Sequence, residues 1–437
     1  MTDLLALDLL AAAERLASGD LDPVALTRAY LDRIEVTRPR LNEWVTVDAG
    51  GALAAAEQAR EELRDGHRRS VLHGIPVGVK DLFDTAGLRT TYGSPRFADH
   101  VPDADAAVVA LLREAGAVVL GKQATHEFAW GGRTDSAFFG PTRNPHDRSR
   151  IPGGSSGGGG ASVAAHSSLL AVGSDTAGSI RIPAALCGCV GLKPTFGRLP
   201  VAGAFPLAPS LDHAGLLGRV VDDVALAFEA LASPPTRVPD ATGVVALVTG
   251  PSLELLDDAV RASVLAARDR LARSGVEVRE VELDGIDERT VAVLELVRAE
   301  AQEVHGPAYA VEPDQYGADL AALLGLGPVG PDEREAARFV VRRAVTELEA
   351  ALTGVDALLT ATVPVIAPRI GATSVAVAGR KLPIELVLTR LTSVADAAGV
   401  PAVSVPAPDA DRLPVGLQLI GPADGETALL RLARLLG

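Results

Sequence analysis

A glycine- and serine-rich tract in the middle of the chain, GGSSGGGG at 153–160, constrains the fold more than any other feature of the 437 residues. Apolar segments with regular patterning flank it on both sides, which disfavours a flexible linker. The tract also lacks the Gly-Lys-Ser/Thr ending of a nucleotide-binding phosphate loop, because Gly160 leads into Ala161 and Ser162. Close helix packing and a functional loop both stay open from the tract alone.

The hydrophobic pattern alternates between helix-like and strand-like segments, in the manner of an α/β fold. Helices are predicted over 4–35, 52–64, 105–115, 221–231, 257–274, 333–352 and 427–436. Strands are predicted over 117–120, 244–248 and 276–281, and buried strands over 74–81, 357–360, 403–406 and 415–420. Residues 131–160 are rich in Gly, Pro, Ser, Asn and Asp, which predicts a long irregular segment.

The composition predicts a globular protein with a sizeable core. Hydrophobic residues make up 48% of the chain and charged residues 22%, which excludes wholesale disorder. The 56 acidic side chains outnumber the 41 basic ones and give a net charge of −15. Because nucleic-acid binding needs clustered Lys and Arg, and no such cluster is found, nucleic acid is not expected as a partner.

The cysteine and histidine content argues against disulfide and metal chemistry. Cys187 and Cys189 are too few for a disulfide framework or a four-ligand zinc site. None of the eight histidines falls in a metal-ligand pattern, so neither a metal nor another cofactor is expected. Acidic residues near the N-terminus and the lack of a long apolar run predict a cytoplasmic protein with no signal peptide and no membrane contact.

Two further motifs give the glycine tract a specific interpretation. GSDTAGSIRIP follows it at 173–183, and GVKD at 78–81 contains Lys80. The run from Gly153 to Ala184 resembles the signature of the amidase signature family, whose enzymes hydrolyse amide bonds through a Ser–cis-Ser–Lys triad. The resemblance extends to GKQATHEFAWGG at 121–132, GPTRNP at 140–145, CGCVGLKPTFGR at 187–198 and LPVGLQLIG at 413–421.

The resemblance implies an α/β amidase-signature fold, in which a mixed central sheet is covered by helices on both faces as an α/β/α sandwich. One amidase domain is expected over 1–437. Its parts are an N-terminal helical segment at 1–65, a signature core at 70–220, a variable substrate-specificity region at 235–390 and a C-terminal return to the sheet at 391–437.

The resemblance also assigns three catalytic roles. Ser179 is the expected nucleophile, and because a serine hydroxyl is weak at its own pKa it needs a base. That base is Lys80, whose pKa burial among apolar neighbours would lower. Ser155 is the expected proton relay, and the Gly154–Ser155 peptide bond is expected to be cis.

Supporting residues follow from the same resemblance. The backbone N–H groups of 176–179, namely Thr176, Ala177, Gly178 and Ser179, are the expected oxyanion donors. Ser156 is expected to support the relay, and Asp175 and Arg181 to form a structural pair that holds the loop. Three residues, Phe128, Trp130 and Gly131, line the acyl pocket in one interpretation and belong to the core in another.

The resulting hypothesis is a cofactor-free amidohydrolase of the class that cleaves carbon–nitrogen bonds other than peptide bonds. Its substrate would be a small amide, anilide or carbamate (urethane), cleaved through an acyl-enzyme on Ser179. Homodimerisation is common in the family and stays open here.

A first alternative is the glutamine-hydrolysing A subunit of a tRNA-dependent amidotransferase, but Ile182 stands where that branch usually has glutamine. A second alternative, a non-catalytic binding protein, is disfavoured because all three triad positions are present.

Overall fold

The computed structural model describes residues 4–135, 138–234, 238–408 and 413–437. Its strands are β1 (Trp44–Val47), β2 (Pro76–Lys80), β3 (Val118–Gln123), β4 (Leu170–Asp175), β5 (Val190–Lys193), β6 (His213–Gly218), β7 (Val244–Thr249), β8 (Glu277–Glu282), β9 (Ala357–Ala361), β10 (Ser374–Val377), β11 (Arg380–Pro383), β12 (Ala402–Pro406) and β13 (Gly416–Ile420). Within the described ranges, eleven of these strands form one sheet in the order β1-β3-β2-β4-β6-β5-β12-β13-β9-β7-β8, and β10 pairs with β11 separately.

Helices flank this sheet. They are α1 (Leu9–Ser18), α2 (Pro23–Leu41), α3 (Ala49–Arg64), α4 (Ala107–Glu114), α5 (Gly157–Ala164), α6 (Arg181–Cys187), α7 (Val221–Leu231), α8 (Pro251–Glu254), α9 (Asp258–Arg273), α10 (Ile286–Val311), α11 (Ala318–Leu324), α12 (Pro331–Ala351), α13 (Ile384–Thr389), α14 (Ser393–Ala397) and α15 (Glu426–Ala433). Short 3₁₀ turns lie at Leu4–Ala6, Pro95–Phe97, Glu127–Ala129 and Pro313–Gln315.

Local sequence signals explain where many of these elements begin and end. The Asp22 side chain accepts a hydrogen bond of 2.8 Å from the Val24 N–H, and Pro23 occupies the first turn, so α2 begins there. The helix ends at Asn42, which adopts a left-handed conformation. Strands β2 and β4 are buried at every position, as expected for strands covered on both faces.

The sheet is mixed, and its parallel part prepares the functional site. Strand β2 lies between β3 and β4 and is parallel to both. Their carboxyl ends therefore meet at one edge of the sheet, which brings Lys80, Gln123 and Asp175 to neighbouring positions. In open α/β sheets, ligands bind outside the carboxyl ends of parallel strands, so this edge is where a site is expected.

The predicted α/β class with a mixed central sheet is confirmed. The prediction of an irregular segment over 131–160 is wrong at its end, because α5 begins at Gly157. The physical reason is close packing: a Cβ on Gly158 would lie 2.3 Å from the Ala124 nitrogen and 2.6 Å from the Glu43 carbonyl oxygen. Only glycine allows this helix to approach β3 so closely.

Candidate active site

Lys80 ends β2 and is buried with its side chain in contact with two serines. Its Nζ lies 2.6 Å from Ser155 Oγ and 2.7 Å from Ser174 Oγ. The apolar neighbours along its strand, Val77 and Val79, are fully buried. Burial lowers the pKa of Lys80 to about 7, although Asp175 and Asp212 oppose that shift. A buried amine that is partly neutral near pH 7 can accept a proton from the hydroxyl beside it.

Ser155 lies in the loop that leads into α5. The Gly154–Ser155 peptide bond is cis in the structure. The Ser155 carbonyl oxygen accepts hydrogen bonds from the His126 N–H (3.1 Å) and from Thr134 Oγ1 (3.2 Å). These contacts fix the loop on the segment that follows β3, so that the Ser155 hydroxyl stays beside Lys80.

Ser156 connects the loop of Ser155 to the turn that carries Ser179. Its Oγ donates to the Ser174 carbonyl oxygen (3.1 Å) and accepts from the Ser174 N–H (3.3 Å). Its own N–H donates to the Ser179 carbonyl oxygen (3.0 Å). Ser156 therefore holds together the loop of Ser155, the end of β4 and the turn that carries Ser179.

Ser174 is a site residue that the sequence does not predict. It stands at the carboxyl end of β4, beside Lys80 at the end of the parallel strand β2. The signal that could have found it is this pairing, since the ends of adjacent parallel strands place their side chains close together. Its hydroxyl gives the Lys80 amine a second polar partner in an otherwise apolar surrounding.

Asp175 holds the backbone that carries Ser179. Its Oδ1 accepts from the Gly178 N–H (2.5 Å), and its Oδ2 accepts from the Ile180 N–H (3.1 Å). The Arg181 guanidinium donates to both oxygens at 3.0 Å. Burial opposes ionisation of Asp175, but the Arg181 charge outweighs it and holds the pKa of this carboxyl below its usual range.

Arg181 also contacts a second buried carboxyl, Asp396 on α14. The guanidinium donates to Asp396 Oδ2 at 2.5 Å, to Gln418 Oε1 at 2.8 Å and to the Thr392 carbonyl oxygen at 3.0 Å. Burial raises the pKa of Asp396 well above its ordinary value, and Asp175 nearby adds to the shift against the opposing effect of Arg181. One guanidinium charge thus contacts two carboxyls whose pKa values are shifted in opposite directions, that of Asp175 downward and that of Asp396 upward.

The four expected oxyanion donors are not equivalent in the structure. The Gly178 N–H is already used by Asp175, whereas the Thr176, Ala177 and Ser179 N–H groups make no hydrogen bond within the described ranges. Gly178 has a φ of +128°, and a Cβ there would lie 2.3 Å from Thr392 Oγ1. The role of Gly178 in this geometry is to let the chain turn, which leaves the N–H groups of Thr176, Ala177 and Ser179 as the free donors in this turn.

A cavity of about 950 Å³ opens above this turn. Thr176, Ala177 and Ser179 lie at its base, and residues of α10 and α11 supply much of its apolar wall. Its volume is at the upper end of the range for pockets that hold small molecules. The candidate nucleophile, only 8% exposed, therefore faces a space in which a substrate can be enclosed.

The three candidate pocket residues have different surroundings. Trp130 and Gly131 line the cavity. Phe128 is fully buried behind this wall, where its ring packs against those of Phe205 and His305 at centroid distances of 4.8 and 4.6 Å. For Phe128 the structure therefore gives the core position that the sequence left open.

Two features are absent from the described part of the chain. Its residues contain no group of three or more His, Cys, Asp or Glu side chains arranged to hold a metal ion. Among the same residues, no helix combines the length and the apolar character that a membrane crossing requires.

The chain matches known proteins over most of its length. The family model for Amidase matches residues 25–430. The A subunit of glutamyl-tRNA(Gln) amidotransferase from Roseiflexus castenholzii is 36% identical over 478 aligned positions, which cover 99% of this chain and 95% of the relative.

Solved structures agree with the fold over nearly the whole chain. The crystal structure of an amidase superposes with a TM-score of 0.91 at 35% identity and covers 99% of this chain and 100% of its own. A chain from a vestigial protein complex, described as revealing the evolutionary origins of an s-triazine catabolic enzyme, superposes with a TM-score of 0.92 at 31% identity, with 98% of each chain covered.

Proposed function

The chain belongs to the amidase signature family, and from this premise we propose that it hydrolyses the C–N bond of a small amide, anilide or carbamate through an acyl-enzyme on Ser179. The observation that carries the proposal is the contact of 2.6 Å between the buried Lys80 amine and the Ser155 hydroxyl, next to the turn of Ser179. The proposed catalytic residues are Lys80, Ser155 and Ser179.

In the proposed first half-reaction, Ser179 Oγ attacks the carbonyl carbon of the substrate. Its proton passes to Ser155 Oγ while the Ser155 proton passes to Lys80 Nζ, so that the lysine becomes an ammonium. The negative charge that develops on the carbonyl oxygen is stabilised by the free N–H groups of this turn, those of Thr176, Ala177 and Ser179. Preorganised backbone donors of this kind typically contribute about 10²–10³ each in rate.

Collapse of the tetrahedral intermediate breaks the C–N bond. The proton held by Lys80 returns through Ser155 to the leaving nitrogen, and a neutral amine or ammonia departs. Water then attacks the acyl-enzyme with the same residues acting as base, the carboxylic acid is released, and Ser179 regains its proton. A carbamate substrate follows the same steps: its C–N bond breaks, the amine departs, and hydrolysis of the alkoxycarbonyl-enzyme on Ser179 releases a carbonic acid monoester.

A second candidate function is that of one component of a tRNA-dependent amidotransferase. The 36% identity to the A subunit of such an enzyme, over nearly the whole of both chains, favours it. That function predicts hydrolysis of glutamine and a dependence on partner proteins. The hydrolase proposal, in contrast, predicts turnover of simple amides by the isolated chain.

The test is a panel of primary amides, anilides, carbamates and glutamine, incubated with the isolated protein while released amine or ammonia is measured. Ser179→Ala is the control. The proposal expects turnover of at least one amide, anilide or carbamate that the control lacks. Turnover of glutamine alone would favour the amidotransferase candidate, and equal turnover by the control would refute the role of Ser179.

A further inference from the structure

More acidic than basic side chains line the cavity above Ser179. Among the lining residues that the structure describes, two guanidinium groups, Arg133 and Arg298, face four carboxylates. The carboxylates that line the cavity are Glu295, Asp319, Glu333 and Glu385. Charged side chains at a pocket select the charge of the ligand that can enter it.

Arg133 is fully occupied by acidic partners. Its Nε donates to Glu385 Oε1 at 2.9 Å, a second nitrogen lies 3.3 Å from Asp135 Oδ2, and the third contacts Asp319. Glu385 is held in turn by the Gly132 N–H, which donates to its Oε2 at 2.7 Å. The Arg133 side chain is only 12% exposed, so it is not free to bind a substrate carboxylate.

Arg298, the second arginine of the cavity, is also engaged by acidic partners. Its nitrogens lie 2.8 Å from Glu295 Oε2 and 3.3 Å from Glu333 Oε1, and one more donates to the Gly327 carbonyl oxygen at 3.1 Å. The imidazole of His126 also lines the cavity. This ring is buried, and burial lowers its pKa below the ordinary value. At neutral pH this imidazole adds no positive charge.

Much of the rest of the wall is apolar. Five of the lining side chains are hydrocarbon: Val291, Leu294 and Val297 of α10 and Ala322 and Leu323 of α11. A ligand body that lies along these side chains gains about 25 cal/mol for each Å² of apolar area removed from water. A free amino acid is too small and too polar to use that surface.

We infer that the site takes amides or carbamates with an extended apolar body that is uncharged or ends in a cation, and that it rejects substrates ending in a carboxylate. The type of bond that is cleaved rests on the proposed function. The charge preference, in contrast, follows from the side chains that line the cavity. It follows that glutamine, whose α-carboxylate has no free cation to pair with, is a poor substrate.

The test is calorimetric binding of three anilides to the Ser179→Ala variant, which cannot turn them over. The anilides of octanoic acid, 8-aminooctanoic acid and octanedioic acid (as its monoanilide) share their chain length and end in methyl, ammonium and carboxylate. We expect the carboxylate ligand to bind at least about tenfold more weakly than the other two at low ionic strength, and the gap to narrow with added salt. Equal affinities, tighter binding of the carboxylate ligand, or no binding of any of the three would overturn the inference.

Two variants on the same helix sharpen the test. Glu333→Gln removes a cavity carboxylate and should reduce the discrimination by about threefold, since Arg298 loses one of its partners. Glu335→Gln is the matched control, because Glu335 is an exposed residue of α12 that does not line the cavity. This variant should leave the discrimination unchanged. An identical response of the two variants would also contradict the inference.

Hydrolysis of the octanoic anilide by the wild-type protein is measured in parallel. Charge discrimination in binding without hydrolysis would refute the proposed function and leave the cavity preference standing. Hydrolysis that depends on Ser179 but shows no charge discrimination would refute the cavity preference alone.

Discussion

Lys80 Nζ and Ser155 Oγ lie 2.6 Å apart although 75 positions separate the two residues in the sequence. The parallel register of β2 and β4 brings the end of each strand to this edge, and the α5 loop delivers Ser155 to it. The contact links a buried amine directly to a hydroxyl. Such a pair can move a proton without a histidine, which is the chemistry that the proposed function requires.

The first prediction concerns pH. If Lys80 is the base, it must be neutral, and burial places its pKa at about 7. The fraction of active enzyme, and with it kcat/KM, should therefore rise as pH increases through about 7 and level off above it. A rate profile for one anilide tests this, and full activity retained down to about pH 5 would contradict the proposed base.

A second prediction concerns Ser174, which we interpret as a positioning residue for Lys80. Ser174→Ala removes one of the two hydroxyls that orient the amine, so kcat should fall about tenfold while KM stays the same. Ser162→Ala is the control, because Ser162 is equally buried but bonds to Gly159 and Gln123 instead. If both variants lose activity equally, the effect is one of general packing and the positioning role is wrong.

The third prediction contrasts the two carboxyls beside Arg181. Asp175→Asn removes the ionised partner of a fully buried guanidinium and should lower the free energy of unfolding by about 3–5 kcal/mol. Burial raises the pKa of Asp396 and so disfavours its charged form, so the isosteric neutral amide of Asp396→Asn should cost less than about 1 kcal/mol. Urea unfolding at pH 7 measures the free energy of unfolding of both variants, and an equal loss in the two would contradict the opposite pKa shifts of the two carboxyls.

The same pair predicts a pH dependence of stability. The pKa of Asp396 is raised in the folded state, so the unfolded chain releases its proton first and the wild-type protein loses stability as pH rises above the ordinary value of about 4. Asp396→Asn lacks this loss. Its stability relative to wild type should therefore increase from acidic to neutral pH, and a constant difference would show that the carboxyl is ionised in the folded protein.

A fifth prediction tests whether the close approach of α5 requires glycine in the tract. In Gly158→Ala the new Cβ would collide with backbone atoms of Ala124 and Glu43, which cannot move aside, so the variant should unfold at a much lower temperature or not fold. Gly50→Ala in α3 meets no atom within 4 Å and should be stabilising by about 0.5–1 kcal/mol. Comparable melting temperatures for the two variants would show that the close approach of α5 is not required.

Much of the site could be predicted because its signals are local. The run that ends in Lys80 is apolar and short, which indicates a buried strand with a charged residue at its end. The glycines of the tract and the serines at 155, 156 and 179 stand within one motif. For these residues the chemistry and the spacing are both visible in the sequence.

The features that the sequence does not predict depend on contacts between distant parts of the chain. Arg181 and Asp396 are separated by 215 positions, and Arg133 and Glu385 by 252, so no periodicity connects them. Helix α10 is not predicted either, and its apolar residues become one wall of the cavity only when α11 packs beside it. Packing between separate elements determines the cavity, and a single sequence does not encode that packing in any local pattern.

The most direct test of the central claim is to trap the acyl-enzyme and locate it. The protein is treated briefly with a p-nitrophenyl ester, quenched in acid and digested, and the acylated peptide is sequenced by mass spectrometry. We predict one acyl group on Ser179, formed by the wild-type protein and absent from Ser179→Ala. Acylation of Ser155 or of another residue, with undiminished hydrolysis by Ser179→Ala, would contradict it.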